Sequence, residues 1–161
     1  MDVLWAMLGT LAVLHVAYST WTAKRLDRLH QRVDAARAAL DQQLRQRAEA
    51  ASAYATTTRT PAGRELGLAA REALAVPGLG HDREVVESAL SRALQIAGDA
   101  SLTDVTMRTA FARRFHNDTV RDALVVRRRR VVRLFHLAGS ARMPSFFEMD
   151  DTAPQRRTIE V

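Results

Sequence analysis

The side chains with the greatest chemical reach in this sequence are its arginines. Arg127, Arg128, Arg129 and Arg130 run together, with Arg133 three residues on. Guanidinium groups recognise phosphate through charge and forked hydrogen bonds, so such a cluster suits lipid headgroups or nucleic acid. The apolar residues Val131, Val132, Leu134, Phe135 and Leu137 beside it complete the pattern of an interfacial helix. Each basic side chain near an anionic leaflet contributes about 1 kcal/mol. A solvated basic face has the same composition. Nucleic acid, or another acidic partner, is the weaker expectation: only Phe135 interleaves with the arginines, and no helix-turn-helix pattern is present.

The five histidines, His15, His30, His81, His116 and His136, include no pair at the i,i+3 or i,i+4 spacing of helical metal ligands. There is no cysteine, hence no thiol nucleophile, disulfide or lipoprotein anchor. No GxSxG motif or spaced carboxylate pair occurs, and the Gly pair of VPGLG (76–80) lacks phosphate-loop spacing. No catalytic residue, metal ligand or cofactor site is expected, and the chain reads as a non-enzyme. Asn117 and Asp118 fall mid-helix, where polar groups need partners, and an interhelical hydrogen bond setting register is expected there.

The element that positions everything else is the N-terminal run. From Val3 to Ala23 there is no Asp, Glu, Lys or Arg. About 21 residues at 1.5 Å each span roughly 30 Å, the hydrocarbon thickness of a bilayer. Trp5 lies near one end, with Tyr18 and Trp21 near the other, as amphipathic rings do at the two headgroup levels. Residues 1–23 therefore read as a single transmembrane anchor. A cleaved signal peptide is the alternative, with Ala17 and Ser19 as small residues at a cleavage site, but only Asp2 is charged before the apolar run. A buried helix of a soluble domain is the other alternative. Lys24, Arg25, Arg28, Arg32 and Arg37 follow the run, which by the positive-inside rule places the N-terminus outside and the rest in the cytoplasm of a bacterial-type inner membrane.

The chain carries 24 basic and 18 acidic residues in 161, a net charge of +6. Few Pro and Gly and much Ala, Leu and Arg predict an all-α fold. No Pro or Gly lies between Gly9 and Pro61, so the span should run into a helix ending near Tyr54. Leu26, Leu29, Val33, Ala36 and Leu40 form a heptad stripe, continued with drift by Leu44, Ala48 and Ala51. TTTRTPAG (56–63) is a break, and a short helix follows over 64–76, weakened by Gly67. Asp82 is the expected N-cap of a helix over 82–97, closed by Gly98. Ser101 and Asp104 resemble a capping box opening a long helix to Leu137, with Met107, Phe111 and Phe115, then Val120 and Leu124, as its core stripe. The expected architecture is an antiparallel bundle over 24–139. The first and last helices make a long hairpin, two short helices thicken it, and a largely disordered tail occupies 140–161. Narrow, Ala-rich faces suit self-association or a protein partner.

Three stretches resemble the LemA family. LDRLHQRVDAARAALDQQLRQR (26–47) is similar to the family's first cytoplasmic helix. ARRFHNDTVRD, Ala112 to Asp122, is similar to its ARRxYNDAVRD motif. Phe146-Phe147-Glu148 is similar to its terminal FFE. The chain departs from the family at Arg47-Ala48-Glu49-Ala50, at Ala123-Leu124 and in the arginine run, as a divergent member would. The resemblance implies a transmembrane helix before an antiparallel bundle, no established enzymatic activity and a role in the cell envelope.

Overall fold

With no proline or glycine from residue 10 to residue 60, nothing breaks the backbone hydrogen-bond ladder. In the computed structural model, which describes residues 2–128 and 143–150, the first helix, α1, runs continuously over Asp2–Thr57. It ends where three threonines meet. The Thr56 and Thr57 hydroxyls donate back to the Ala53 and Tyr54 carbonyls, competing with the main-chain ladder. Helix α2, Pro61–Ala75, begins three residues earlier than the sequence pattern suggests. Thr60 caps it by accepting the Gly63 N–H at 3.1 Å, and Pro61 stands at the first helical position, where its missing N–H costs nothing.

Helix α3, His81–Ala97, is capped by Gly80 without a side-chain bond. Asp82 is therefore not its N-cap. Asp82 and Glu84 sit in the first turn, where carboxylates meet the positive end of the helix dipole. Gly98, at φ 61°, closes α3 in the left-handed conformation, its N–H bonding the Leu94 carbonyl. The expected capping box is also absent. Asp99 caps a short 3-10 turn, Ala100–Leu102, by accepting from both the N–H and the hydroxyl of Ser101. Asp104 instead pairs with Arg108 at 2.6 Å. Helix α4 covers Thr103–Arg127; its expected extension to Leu137 lies outside the described residues.

The fold is all-α, an antiparallel helical bundle behind an apolar N-terminal helix. It divides into two units, one drawn from Met1–Asp34 and Asp118–Ser145, the other from Ala35–Asn117 and Phe146–Val161. In the first, α1 and α4 run antiparallel: Val33 packs with Val120 and Ala123, and Leu26 with Val126. In the second, Ala48 and Ala51 of α1 pack with Leu66, Ala70 and Ala73 of α2 and Leu90, Ala93 and Leu94 of α3. Small residues let these axes approach closely. Gly67 does not merely weaken α2: a Cβ there would stand 3.0 Å from the Ala55 Cβ, and one at Gly63 would collide with the Thr58 carbonyl oxygen.

The heptad stripe of α1 is buried as expected except at Leu29, which is half-buried: Leu26, Val33, Ala36, Leu40, Leu44, Ala48 and Ala51 are all at or below 7% exposure. The stripe on α4 is buried only in its second half, where Val120 packs with Val33 and Ala123 and Leu124 lies against them. Met107, Phe111 and Phe115 are 47%, 65% and 63% exposed. The inward face carries Thr106, Thr109, His116, Asn117, Val120 and Ala123. Polar residues occupy that face because partners await them: Thr106 donates to the Leu102 carbonyl, and Thr109 to those of Val105 and Gln43. Residues 143–150, grouped with the tail on sequence grounds, form an extended strap that buries Phe147 and Met149 against Leu40 and Leu44.

Candidate functional site

The first unit carries the residues singled out for the membrane boundary. Val3, Leu4, Met7, Leu11, Val13, Leu14 and Val16 are all more than half exposed, so this apolar run is no part of the core. It is long and apolar enough to cross a membrane. Trp5 is 67% exposed at one end. At the other, the Tyr18 and Trp21 rings lie 6.3 Å apart at 37°, and the Arg25 guanidinium stands 5.7 Å over Trp21, a cation–π distance. Lys24 is exposed, and its carbonyl accepts the Arg28 Nε at 3.3 Å.

Beyond Trp21 the surface becomes a groove of about 510 Å³. Arg25, Arg28 and Arg32 of α1 line it with Trp21 and Leu29; α4 supplies Asp122, Val125 and Val126. The arginines follow i,i+3,i+7 spacing, which puts them on one helix face. Asp122 offsets part of their charge. Arg127, further along α4, donates to His30 Nε2 at 3.3 Å, and Arg128 is exposed. Arg129, Arg130 and Arg133, the remainder of the expected basic cluster, lie outside the described residues. The sequence signal for the groove was present in the spacing of 25, 28 and 32. The α4 wall was not legible, because it depends on which face of α4 turns inward.

The second unit holds a buried ionic network that sequence reasoning missed. Arg47, Arg83 and Glu87 are 0%, 1% and 0% exposed. Arg47 Nη2 donates to Glu87 Oε2 at 2.5 Å and Arg83 Nε to Glu87 Oε1 at 2.7 Å, so one carboxylate holds two guanidiniums. Arg47 also reaches the Ser91 hydroxyl, the Glu87 carbonyl and the Met149 sulfur, and Arg83 reaches the Val76 carbonyl. The network ties α1, α3, the end of α2 and the strap into one unit. A signal existed: residue 47 falls three heptads after Leu26, on the strict continuation of the stripe, and Arg83 and Glu87 stand at i,i+4.

The family-motif residues separate into different roles. Asn117 is buried, but its partner is the strap, not a neighbouring helix: its amide donates to the Phe147 carbonyl at 3.1 Å and its oxygen accepts the Phe147 N–H at 3.0 Å. Asp118 is exposed and paired with Arg121 at 2.6 Å. Phe147 is 1% exposed and Phe146 40%. The Glu148 and Asp150 N–H groups donate to the Glu84 carboxylate and the Ser88 hydroxyl of α3, which continues the docking of the strap.

Of the histidines, His81 faces Glu84 at 3.3 Å and His116 is buried; His136 lies outside the described residues. Among the described residues, no three His, Asp or Glu side chains converge as metal ligands would. Compared with protein-family models, with curated proteins and with solved structures, the chain matches none.

Proposed function

We propose that this chain is a single-pass, membrane-anchored scaffold, a LemA-like helical bundle of a bacterial cell envelope that acts by binding rather than catalysis. Its N-terminus lies outside the inner membrane and its bundle in the cytoplasm, where the basic end of the first unit faces the inner leaflet. The bundle offers surface to a protein partner or to a second copy of itself. The observation that carries this reading is the exposed, uncharged surface of residues 3–18, bounded by Trp5 and Trp21 and followed at once by arginine. An apolar surface of this extent on a soluble chain would be an aggregation site, whereas in a bilayer it is solvated by lipid. The family reading rests on the resemblance of Ala112 to Asp122 and of Phe146-Phe147-Glu148 to the LemA motifs.

The test is topology. The chain has no native cysteine, so Gln42→Cys and Ala53→Cys, both at exposed positions of α1, report alone. In intact cells a membrane-impermeant thiol reagent should leave both unlabelled until lysis. Labelling before lysis would put the bundle outside and overturn the orientation. Recovery of the chain in the alkaline carbonate supernatant would overturn the anchor.

A further inference from the structure

The groove beside Trp21 has a composition that the anchoring role alone does not require. A span needs basic residues near its end, but it does not need them gathered on one face beside a groove that apolar side chains also line. Arg25, Arg28 and Arg32 line a groove of about 510 Å³ together with Leu29, Val125 and Val126. That volume lies within the usual range of ligand sites. We infer that this groove is a binding site for the phosphate-bearing headgroup of an anionic membrane lipid, with Arg25, Arg28 and Arg32 holding the phosphate and Leu29, Val125 and Val126 meeting the glycerol and upper acyl carbons. The inference rests on the membrane-anchored reading above.

The geometry along α1 supports this source of phosphate. Ala23 is the last residue before the charges begin. At 1.5 Å per residue, Arg25 stands about 3 Å beyond it, Arg28 about 7 Å and Arg32 about 13 Å. The headgroup layer of one leaflet is roughly 5–8 Å thick, so the first two arginines lie within it and the third just outside. Side chains on a helix tilt toward its N-terminus, and the N-terminal part of α1 is the span. The long Arg32 side chain therefore leans back toward the lipid. The Trp21 ring marks the boundary, and the Arg25 guanidinium already stacks over it at 5.7 Å. A guanidinium held at cation–π distance from an aromatic ring is partly pre-positioned, which lowers the entropy lost when it takes a phosphate. Among the described residues, Asp122 is the one acid in the lining. It keeps the groove from acting as a general anion trap and gives the test a substitution of opposite sign.

The chain has only two tryptophans, Trp5 and Trp21, at opposite ends of the span. In a Trp5→Phe background, fluorescence quenching by brominated lipids reports lipid beside Trp21 alone. The full chain is reconstituted in phosphatidylcholine vesicles, with brominated phosphatidylglycerol or brominated phosphatidylcholine as the quencher. Phosphatidylglycerol should be preferred at Trp21, and Arg28→Gln with Arg32→Gln should reduce the preference roughly 25-fold, since each basic group near anionic lipid contributes on the order of fivefold. Asp122→Asn should raise it, which a merely structural role for these surface residues would not do. With Trp21→Phe instead, the remaining Trp5 should show no preference. Equal quenching of Trp21 by both lipids would overturn the site while leaving the anchor standing. No quenching by either lipid would overturn the anchor as well. A preference abolished by millimolar inorganic phosphate would identify a free-phosphate site and overturn the lipid assignment.

Discussion

Asn117 clasps the main chain of Phe147 from both sides, its amide nitrogen on the carbonyl at 3.1 Å and its amide oxygen on the N–H at 3.0 Å. The pair joins mid-α4 to an extended strap thirty residues later. A side-chain amide carries a donor and an acceptor on separate atoms, so it can donate to and accept from a single residue's backbone at once. The clasp positions Phe147, whose ring then fills the space beside Leu40 and Leu44.

Asn117→Ala leaves both backbone groups of Phe147 buried without partners, at about 1–3 kcal/mol. Chemical denaturation should show a loss of that size. Hydrogen exchange should show the Phe147 amide losing protection while the amides of α2 keep theirs. An unchanged Phe147 amide would mean that Phe147 and Met149 hold the strap without the clasp.

The arginine pair on Glu87 behaves differently under two kinds of substitution. Glu87→Gln leaves Arg47 and Arg83 buried with no countercharge, and should destabilise by about 3–5 kcal/mol. Replacing all three with apolar residues of similar volume, Arg47→Met, Arg83→Met and Glu87→Leu together, should be near neutral or stabilising, since the desolvation cost of all three charges disappears. A triple variant less stable than Glu87→Gln would show that the network contributes more than its desolvation cost.

Phe111→Ser separates the two faces of α4. A core phenylalanine truncated to a small residue typically costs 3–5 kcal/mol. At 65% exposure the expected change is within about 0.5 kcal/mol. A large loss in thermal unfolding would place Phe111 inside after all.

Asp99 links stability to pH. Its carboxylate is held below the ordinary value of 3.8, first by the Ser101 hydroxyl, then by the Ser101 N–H, with a smaller contribution from the Tyr54 side chain. The depressed folded value means that the ionised form is favoured by folding. Its contribution is therefore fully present above 3.8 and is lost as pH falls from there through the folded value. The stability gap between the wild-type chain and Asp99→Ala should be constant from neutral pH to about pH 5. It should then narrow as pH falls below 3.8. A gap already closing above pH 5 would contradict the assigned direction.

Much of the architecture follows from local patterns. The uncharged run of residues 3–23 and the lack of any helix breaker before Pro61 are enough to specify α1 and its apolar end. Gly98 stops α3 where expected, because a left-handed residue there calls for glycine. The heptad stripe on α1 is buried because every leucine and valine between Leu26 and Leu44 lies on one face. These are properties of neighbours in sequence, and neighbours can be read directly.

Which polar residues were admitted to the interior depended on contacts made by the folded chain. Apolarity alone ranks Met107, Phe111 and Phe115 above Thr109, His116 and Asn117 as the core face of α4, and the ranking fails. Thr109 is admitted by the Gln43 carbonyl, 66 residues away, and Asn117 by Phe147. Arg47 is admitted by Glu87, 40 residues away. A buried polar group is tolerable only if a partner meets it, and the partner's position is a property of the folded chain. For the same reason Phe147 is buried while the adjacent Phe146 is not: in an extended strap successive side chains point to opposite sides, and the Asn117 clasp determines which side faces the core.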